Sequence, residues 1–201
     1  MGLVSGFLVC VSMIPYFIRV IQGVIEPNPV TWLLWAMIGL VMLITYRSSG
    51  AEANLWPAVA GFVNPLIVAV WVLKNWAKRK PFDFFEYFCC IFCVIALVMW
   101  IFMRESRYLA QYALYVAIIA DACAAIPTFV FVCLYPEKER PFAWATFGIG
   151  YGVGMFAIRE HTFANYALPL YMFLMPIGIL IPLVRYRVHK KIPLRAWREW
   201  M

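Results

Sequence analysis

The sequence has 201 residues, of which 65% are hydrophobic and 13% are charged, about half the charged share of an ordinary soluble domain. So few charged residues cannot cover the surface of a soluble domain of this length, and the apolar residues occur in long blocks. The net charge of +7 does not indicate nucleic-acid binding, because the basic residues lie at the ends of these blocks.

Seven apolar segments have the length of a membrane-spanning helix, for which a bilayer core of about 30 Å needs about 20 residues. Lipid cannot satisfy free backbone amides, so each segment is expected to form a helix. The sequence therefore predicts an all-α membrane protein, whose second and sixth spans are short. In chain order the predicted spans are 3–21, 30–46, 55–73, 87–103, 110–134, 142–158 and 165–184.

The basic residues are distributed unevenly between the two ends of these spans. One side of the membrane receives 13 of the 17 Lys and Arg residues, and the other side receives Arg47, Arg104, Arg107 and Arg159. Because cytoplasmic loops carry the excess of Lys and Arg, we expect a cytoplasmic C-terminus and an external N-terminus. We expect the plasma (inner) membrane as the location, with the basic tail near anionic lipid. The 13 residues are Arg19, Lys74, Lys78, Arg79, Lys80, Lys138, Arg140, Arg185, Arg187, Lys190, Lys191, Arg195 and Arg198.

An internal repeat becomes visible when the chain is shifted by 112 residues without gaps. This shift pairs Pro15 with Pro127 and Trp32 with Trp144, and it also pairs Arg47 with Arg159. Such matches are rarer by chance than matches of Val or Ile, so they indicate a duplication, and a duplication decides the architecture. We expect two parallel three-helix repeats joined by a linker helix, a 3+1+3 arrangement known among transporters. The predicted parts are a first repeat at 1–80, a linker helix at 81–108, a second repeat at 109–186 and a basic cytoplasmic tail at 187–201.

This layout, with a proline in the middle of helices 1 and 5, resembles the PQ-loop superfamily, which includes the SWEET sugar transporters and lysosomal amino-acid exporters. The segment PYFIRVIQGVIEPNPVTWLLW at 15–35 is similar to the first repeat of that superfamily. Tyr16 and Thr128 stand where the family glutamine would follow the proline, so the chain would be a divergent member. The resemblance implies a transporter that moves a small polar solute by alternating access between the two repeats.

Asp121 lies near the middle of the fifth span, in YVAIIADACAAIPTF. An ionised carboxylate at the centre of a bilayer costs about 2.5–3.5 kcal/mol on insertion scales, and such residues usually mark a functional path. Asp121 is therefore a candidate for substrate binding or for proton coupling. The alternative is a neutral carboxylic acid that holds a neighbouring helix through a hydrogen bond.

Four further residues are candidates for substrate binding. Asn64, directly before Pro65 in the third span, can form hydrogen bonds to a ligand or to a neighbouring helix. The resemblance implies that Asn64 corresponds to the asparagine of helix 3 that contacts the sugar in SWEET proteins. Trp35 lies one turn deeper than Trp32 and is a candidate for stacking on a ligand. Trp32 and Trp144 are repeat-paired aromatic residues near a membrane surface, where aromatic belts are also expected. Tyr16 and Thr128, which follow the two paired prolines, complete the set.

Pro15 and Pro127 each remove a backbone donor inside a span. This predicts a hinge at each proline, although prolines are common in membrane helices generally.

The CCxxC at 89–93 has no histidine nearby, so we expect its cysteines to act as small apolar residues and to bind neither a metal nor a cofactor. No motif indicates an enzyme, although a weak alternative is an intramembrane enzyme of lipid chemistry. A second alternative is a non-transporting seven-helix receptor or scaffold, and assembly as a homo-oligomer is left open.

Overall fold

The computed structural model describes residues 1–25, 27, 29–51, 54–73 and 84–201. The predicted basic residues at 74–80 and the start of the linker helix at 81–83 lie outside these ranges. Over the described part, the chain forms eight α-helices and one short 3₁₀ turn, with no β-strand. The helices are α1 Gly2–Ile21, α2 Pro29–Ser48, α3 Leu55–Val72, α4 Phe84–Met103, α5 Arg107–Leu134, α6 Pro141–Met155, α7 Phe163–His189 and α8 Trp197–Trp200, and the 3₁₀ turn is Pro136–Lys138.

Six of the helices, α1 to α5 and α7, are long and apolar enough to cross a membrane. Helix α6 has 15 residues, which correspond to about 22 Å at 1.5 Å per residue. The predicted class of an all-α integral membrane protein is therefore confirmed. Large apolar side chains such as Phe7, Phe102 and Ile181 are exposed on the outside of the helices, as expected for a surface that faces lipid.

The helix ends follow from local sequence. Ser106 caps α5 by accepting a hydrogen bond from the backbone N–H of Leu109, and Thr162 caps α7 in the same way through Asn165. Pro141 begins α6, where a missing N–H costs nothing. Gly23 and Gly50 follow α1 and α2 with φ values of 70° and 78°, the left-handed conformation that glycine adopts most readily after a helix.

The neighbours of each helix follow a pattern that occurs twice. Helix α3 packs between α1 and α2, and α7 packs between α5 and α6. Between these groups, α1 packs on α6 and α2 packs on α5, while α4 covers α5 and α2. Close approach is possible because α5 turns a row of small side chains inward, including Ala110, Ala113, Ala117, Ala120 and Ala124, as is typical of membrane helix interfaces.

The end of α7 is tied to the connection between α5 and α6. Helix α7 continues to His189, so the predicted start of the tail at 187 lies inside it. The guanidinium of Arg187 is fully buried and donates to the backbone carbonyls of Glu139 at 2.6 Å and Glu199 at 2.5 Å. The C-terminal residues therefore fold back over the α5–α6 connection.

Candidate functional site

A cavity of about 90 Å³ lies where α1, α2 and α3 meet α5, α6 and α7. Each of these six helices contributes lining residues, and most of the lining is apolar or aromatic. One water needs about 10–15 Å³ of such space, so the cavity has room for about six to nine waters. It is therefore large enough for a small solute and too small for a drug-sized ligand, which needs about 300 Å³ or more.

Asp121 lines this cavity from α5 and is 6% exposed. The hydroxyl of Tyr171 on α7 donates a hydrogen bond to its Oδ2 atom at 2.8 Å. Within the described ranges, no Lys or Arg forms an ion pair with this carboxyl group. Asp121 thus combines a bond to a neighbouring helix with a position on the cavity, the two alternatives that the sequence left open.

Asn64 lines the cavity from α3 and is 4% exposed. Its Nδ2 atom donates to the carbonyl of Val9 on α1 at 2.8 Å, and the hydroxyl of Ser12 donates to the same carbonyl at 2.6 Å. Asn64 therefore connects α1 to α3 beside the cavity. Gly61 also lines the cavity. Its carbonyl would accept a hydrogen bond from the N–H four residues later in the helix, but Pro65 at that position has no N–H.

Four aromatic rings form a continuous wall of the cavity. The ring centroids of Tyr16 and Trp32 are 5.1 Å apart, those of Trp32 and Trp35 are 5.2 Å apart, and those of Trp35 and Trp144 are 6.2 Å apart. All four residues line the cavity. Trp32 is 6% exposed, so its ring faces the interior of the protein and not lipid.

Two indole groups in this wall have polar atoms without partners. The Nε1 atoms of Trp35 and Trp144 are buried and make no hydrogen bond to any residue of the described part. Buried tryptophan N–H groups usually find a partner, and leaving one unsatisfied costs about 1–3 kcal/mol. Both atoms lie beneath the surface of the cavity wall, so a water or a solute oxygen reaches them only if the rings move.

The remaining predicted site residues lie elsewhere. Thr128 is half-buried on α5 and does not line the cavity. Pro15 and Pro127 lie inside α1 and α5, which continue through them, and neither lines the cavity. Cys89 and Cys93 are buried on α4, and the described residues contain no cluster of His, Cys, Asp and Glu that could hold a metal.

Sequence reasoning missed several residues of the site. Tyr171, the partner of Asp121, and the apolar residues Met13, Met172 and Met175 were not predicted. A hydroxyl in the middle of the apolar seventh span is a signal that could have singled out Tyr171. The methionines differ in no sequence feature from residues that face lipid.

Comparison of the chain with family models, with curated proteins and with solved structures gives no match in any of the three.

Proposed function

We propose that the protein transports a small polar solute across the membrane by alternating access between two three-helix units, α1–α3 and α5–α7, which α4 joins. The observation that carries the proposal is the cavity at the junction of the two units, which is lined by a carboxyl group from the middle of α5. A scaffold needs no such cavity between its halves. A carrier needs one, because the solute must be enclosed by both units in turn.

The proposed 3+1+3 arrangement is supported by the helix neighbours. The third helix of each unit packs between the first two, and the first helix of each unit packs on the second helix of the other. This is the pattern expected of two repeats related by a twofold axis, which for parallel repeats lies along the membrane normal. It agrees with the pairing of Pro15 with Pro127 and of Trp32 with Trp144 in the sequence.

One end of the cavity is closed by hydrogen bonds between the units. The hydroxyl of Ser5 on α1 donates to the carbonyl of Gly150 on α6 at 2.6 Å. The hydroxyl of Tyr151 on α6 donates to the carbonyl of Pro57 on α3 at 2.9 Å. With an external N-terminus, these bonds close the outer side, and the cavity extends from Asp121 toward the cytoplasmic ends of α2 and α6. Opening the outer side would break these two bonds.

Asp121 is the group proposed to couple transport to protons. It faces a site from which bulk water is largely excluded, and no basic partner among the described residues fixes its charge. A carboxyl group in this setting can take up a proton while the cavity is open to one side and release it to the other. Tyr171 would hold the side chain in place in both states.

The test begins with a thermal-shift screen of the purified protein against sugars, amino acids, vitamins and lipid head groups. We expect at least one soluble compound to raise the melting temperature and to accumulate in proteoliposomes above the level of protein-free liposomes. Asp121→Asn should abolish uptake driven by a pH gradient, because it removes titration, and should leave exchange at equal pH intact when the solute is saturating. Tyr171→Phe is the matched variant, since it removes the donor and keeps the carboxyl group.

The proposal fails if no compound of the screen accumulates above the level of protein-free liposomes. If crosslinking in membranes instead recovers a defined peptide or protein bound to the chain, the receptor or scaffold alternative replaces it. If pH-driven uptake is the same in Asp121→Asn as in the unmodified protein, the carboxyl group has only the structural role.

A further inference from the structure

We infer that the cavity selects a small organic cation, namely an alkylammonium. This inference rests on the proposed function, because it names the class of solute that the same site would take. It follows from the aromatic rings of the lining and from its single charged side chain.

Aromatic rings of different orientation line the cavity, as in an aromatic cage. The planes of Trp32 and Trp35 meet at 85°, and those of Trp35 and Trp144 meet at 78°. Such edge-to-face contacts are a preferred arrangement of aromatic neighbours, and here all three rings belong to residues that line one cavity. A cation within about 6 Å of an aromatic centroid is attracted by the negative face of the ring, and such cages are used to bind quaternary ammonium groups.

The charge of the lining has one sign. Asp121 is the acidic lining residue, and none of the lining residues that the structure describes is Lys or Arg. A carboxylate in a cavity with apolar walls attracts a cation more strongly than it would in water. An anionic solute would meet the carboxylate without a compensating cation, so the same arrangement disfavours it.

The volume of the cavity, about 90 Å³, limits the solute to a small cation. Choline combines a quaternary ammonium with a hydroxyl group, and it has about as many heavy atoms as the cavity has room for waters. We therefore use it as the probe, without assuming that it is the natural solute.

The experiment measures the binding of choline chloride to the purified full chain by isothermal titration calorimetry. The reference ligand is 3,3-dimethylbutan-1-ol, which has the same shape but carries carbon in place of the charged nitrogen. We expect choline to bind at least about tenfold more tightly than this neutral alcohol, since only choline gains from the rings and the carboxylate.

Variants separate the contributions to binding. Trp35→Leu and Asp121→Asn should each weaken choline binding by about tenfold or more, whereas Trp35→Phe, which keeps an aromatic face, should weaken it less. Trp56→Leu is the matched control, because Trp56 is 57% exposed at the start of α3 and does not line the cavity. It should bind choline as the unmodified protein does. The melting temperature of each variant without ligand shows whether it is folded.

Equal affinity for choline and the neutral alcohol would overturn the inference, as would a loss of binding in Trp56→Leu equal to that in Trp35→Leu. If choline does not bind while another compound of the screen is transported, the solute class is wrong and the transport function stands. If choline binds selectively but does not enter proteoliposomes, the cation site stands and the transport function is wrong.

Discussion

At the scale of the residue, Glu139 shows how burial changes the chemistry of a carboxyl group in a loop. It lies in the α5–α6 connection and is 7% exposed, and its Oε1 atom accepts a hydrogen bond from the backbone N–H of Arg140 at 2.9 Å. Burial raises the pKa of its carboxyl group to about 7, although Arg140 and Arg187 act in the opposite direction. The α5–α6 connection therefore contains a carboxyl group whose pKa is raised to about 7.

We predict that Glu139→Gln stabilises the protein at pH 8 and has little effect at pH 5. Between pH 4.5 and about 7 the folded state binds more protons at this site than the unfolded state, so the stability that this residue contributes falls as the pH rises. The full effect is about 3 kcal/mol above pH 7. Thermal unfolding of both proteins in detergent at pH 5, 6, 7 and 8 measures the difference.

The matched control for this prediction is Glu137→Gln. Glu137 lies in the 3₁₀ turn directly before Glu139 but is exposed, so the stability difference between Glu137→Gln and the unmodified protein should not change with pH. A difference between Glu139→Gln and the unmodified protein that stays constant from pH 5 to pH 8 would contradict the prediction.

The sequence predicted those residues of the site that are single polar residues in apolar segments. Asp121 and Asn64 both line the cavity, because a polar side chain in an apolar span must face the interior, and this is visible in the local sequence. Their partners Tyr171 and Val9 depend on which helices are adjacent. The repeat pairs Trp32 with Trp144, yet the ring that contacts Trp144 is that of Trp35, since sequence equivalence does not specify contact.

At the scale of the element, the crossing of α1 and α6 depends on the absence of a side chain at Gly150. A methyl group there would lie 2.7 Å from Cγ2 of Val9 and 3.1 Å from its backbone nitrogen. The carbonyl of Gly150 also accepts the hydrogen bond of Ser5. The contact between the two units at the closed end of the cavity therefore requires glycine at this position.

We predict that Gly150→Ala destabilises the protein by about 1–3 kcal/mol, the usual range for overpacking, because the backbone of α1 must move away. The melting temperature in detergent measures the loss. Gly178→Ala on α7 is the control, since a methyl group at that position meets no atom within 4 Å. If the two variants melt at the same temperature, the close approach of α1 and α6 at Gly150 is wrong.

Helix boundaries differ from the predicted spans mainly where polar residues continue a helix. Helix α5 begins at Arg107, three residues before the predicted span, because Ser106 caps it there. Helix α7 extends to His189, five residues past the predicted end, although its last turn contains basic residues. Hydropathy detects the part of a helix that lies in lipid, whereas caps and packing determine where the helix ends.

At the scale of the whole molecule, the topology depends on α6, the one helix of the bundle that is shorter than a typical span. Its first turn lies near the C-terminal half of α1, since Ala143 packs in the cluster of Tyr16 and Val20. Its last turn lies near the N-terminus of α1, where a methyl group at Gly154 would lie 2.7 Å from the hydroxyl oxygen of Ser5. Helix α6 therefore runs along most of α1, so it should cross the membrane if α1 does.

We predict that a reporter fused after Met201 lies in the cytoplasm and that one inserted at 159–164 lies outside. The reason is that a crossing α6 places the α5–α6 and α6–α7 connections on opposite sides, and the excess of Lys and Arg then falls on the side of the C-terminus. Paired fusions active only in the cytoplasm or only outside it measure both positions in intact cells. A third insertion at 136–138 is the internal control and should report the side of the C-terminus. If the insertions at 136–138 and 159–164 report the same side, α6 does not cross, the two units are not parallel repeats, and alternating access between them is excluded.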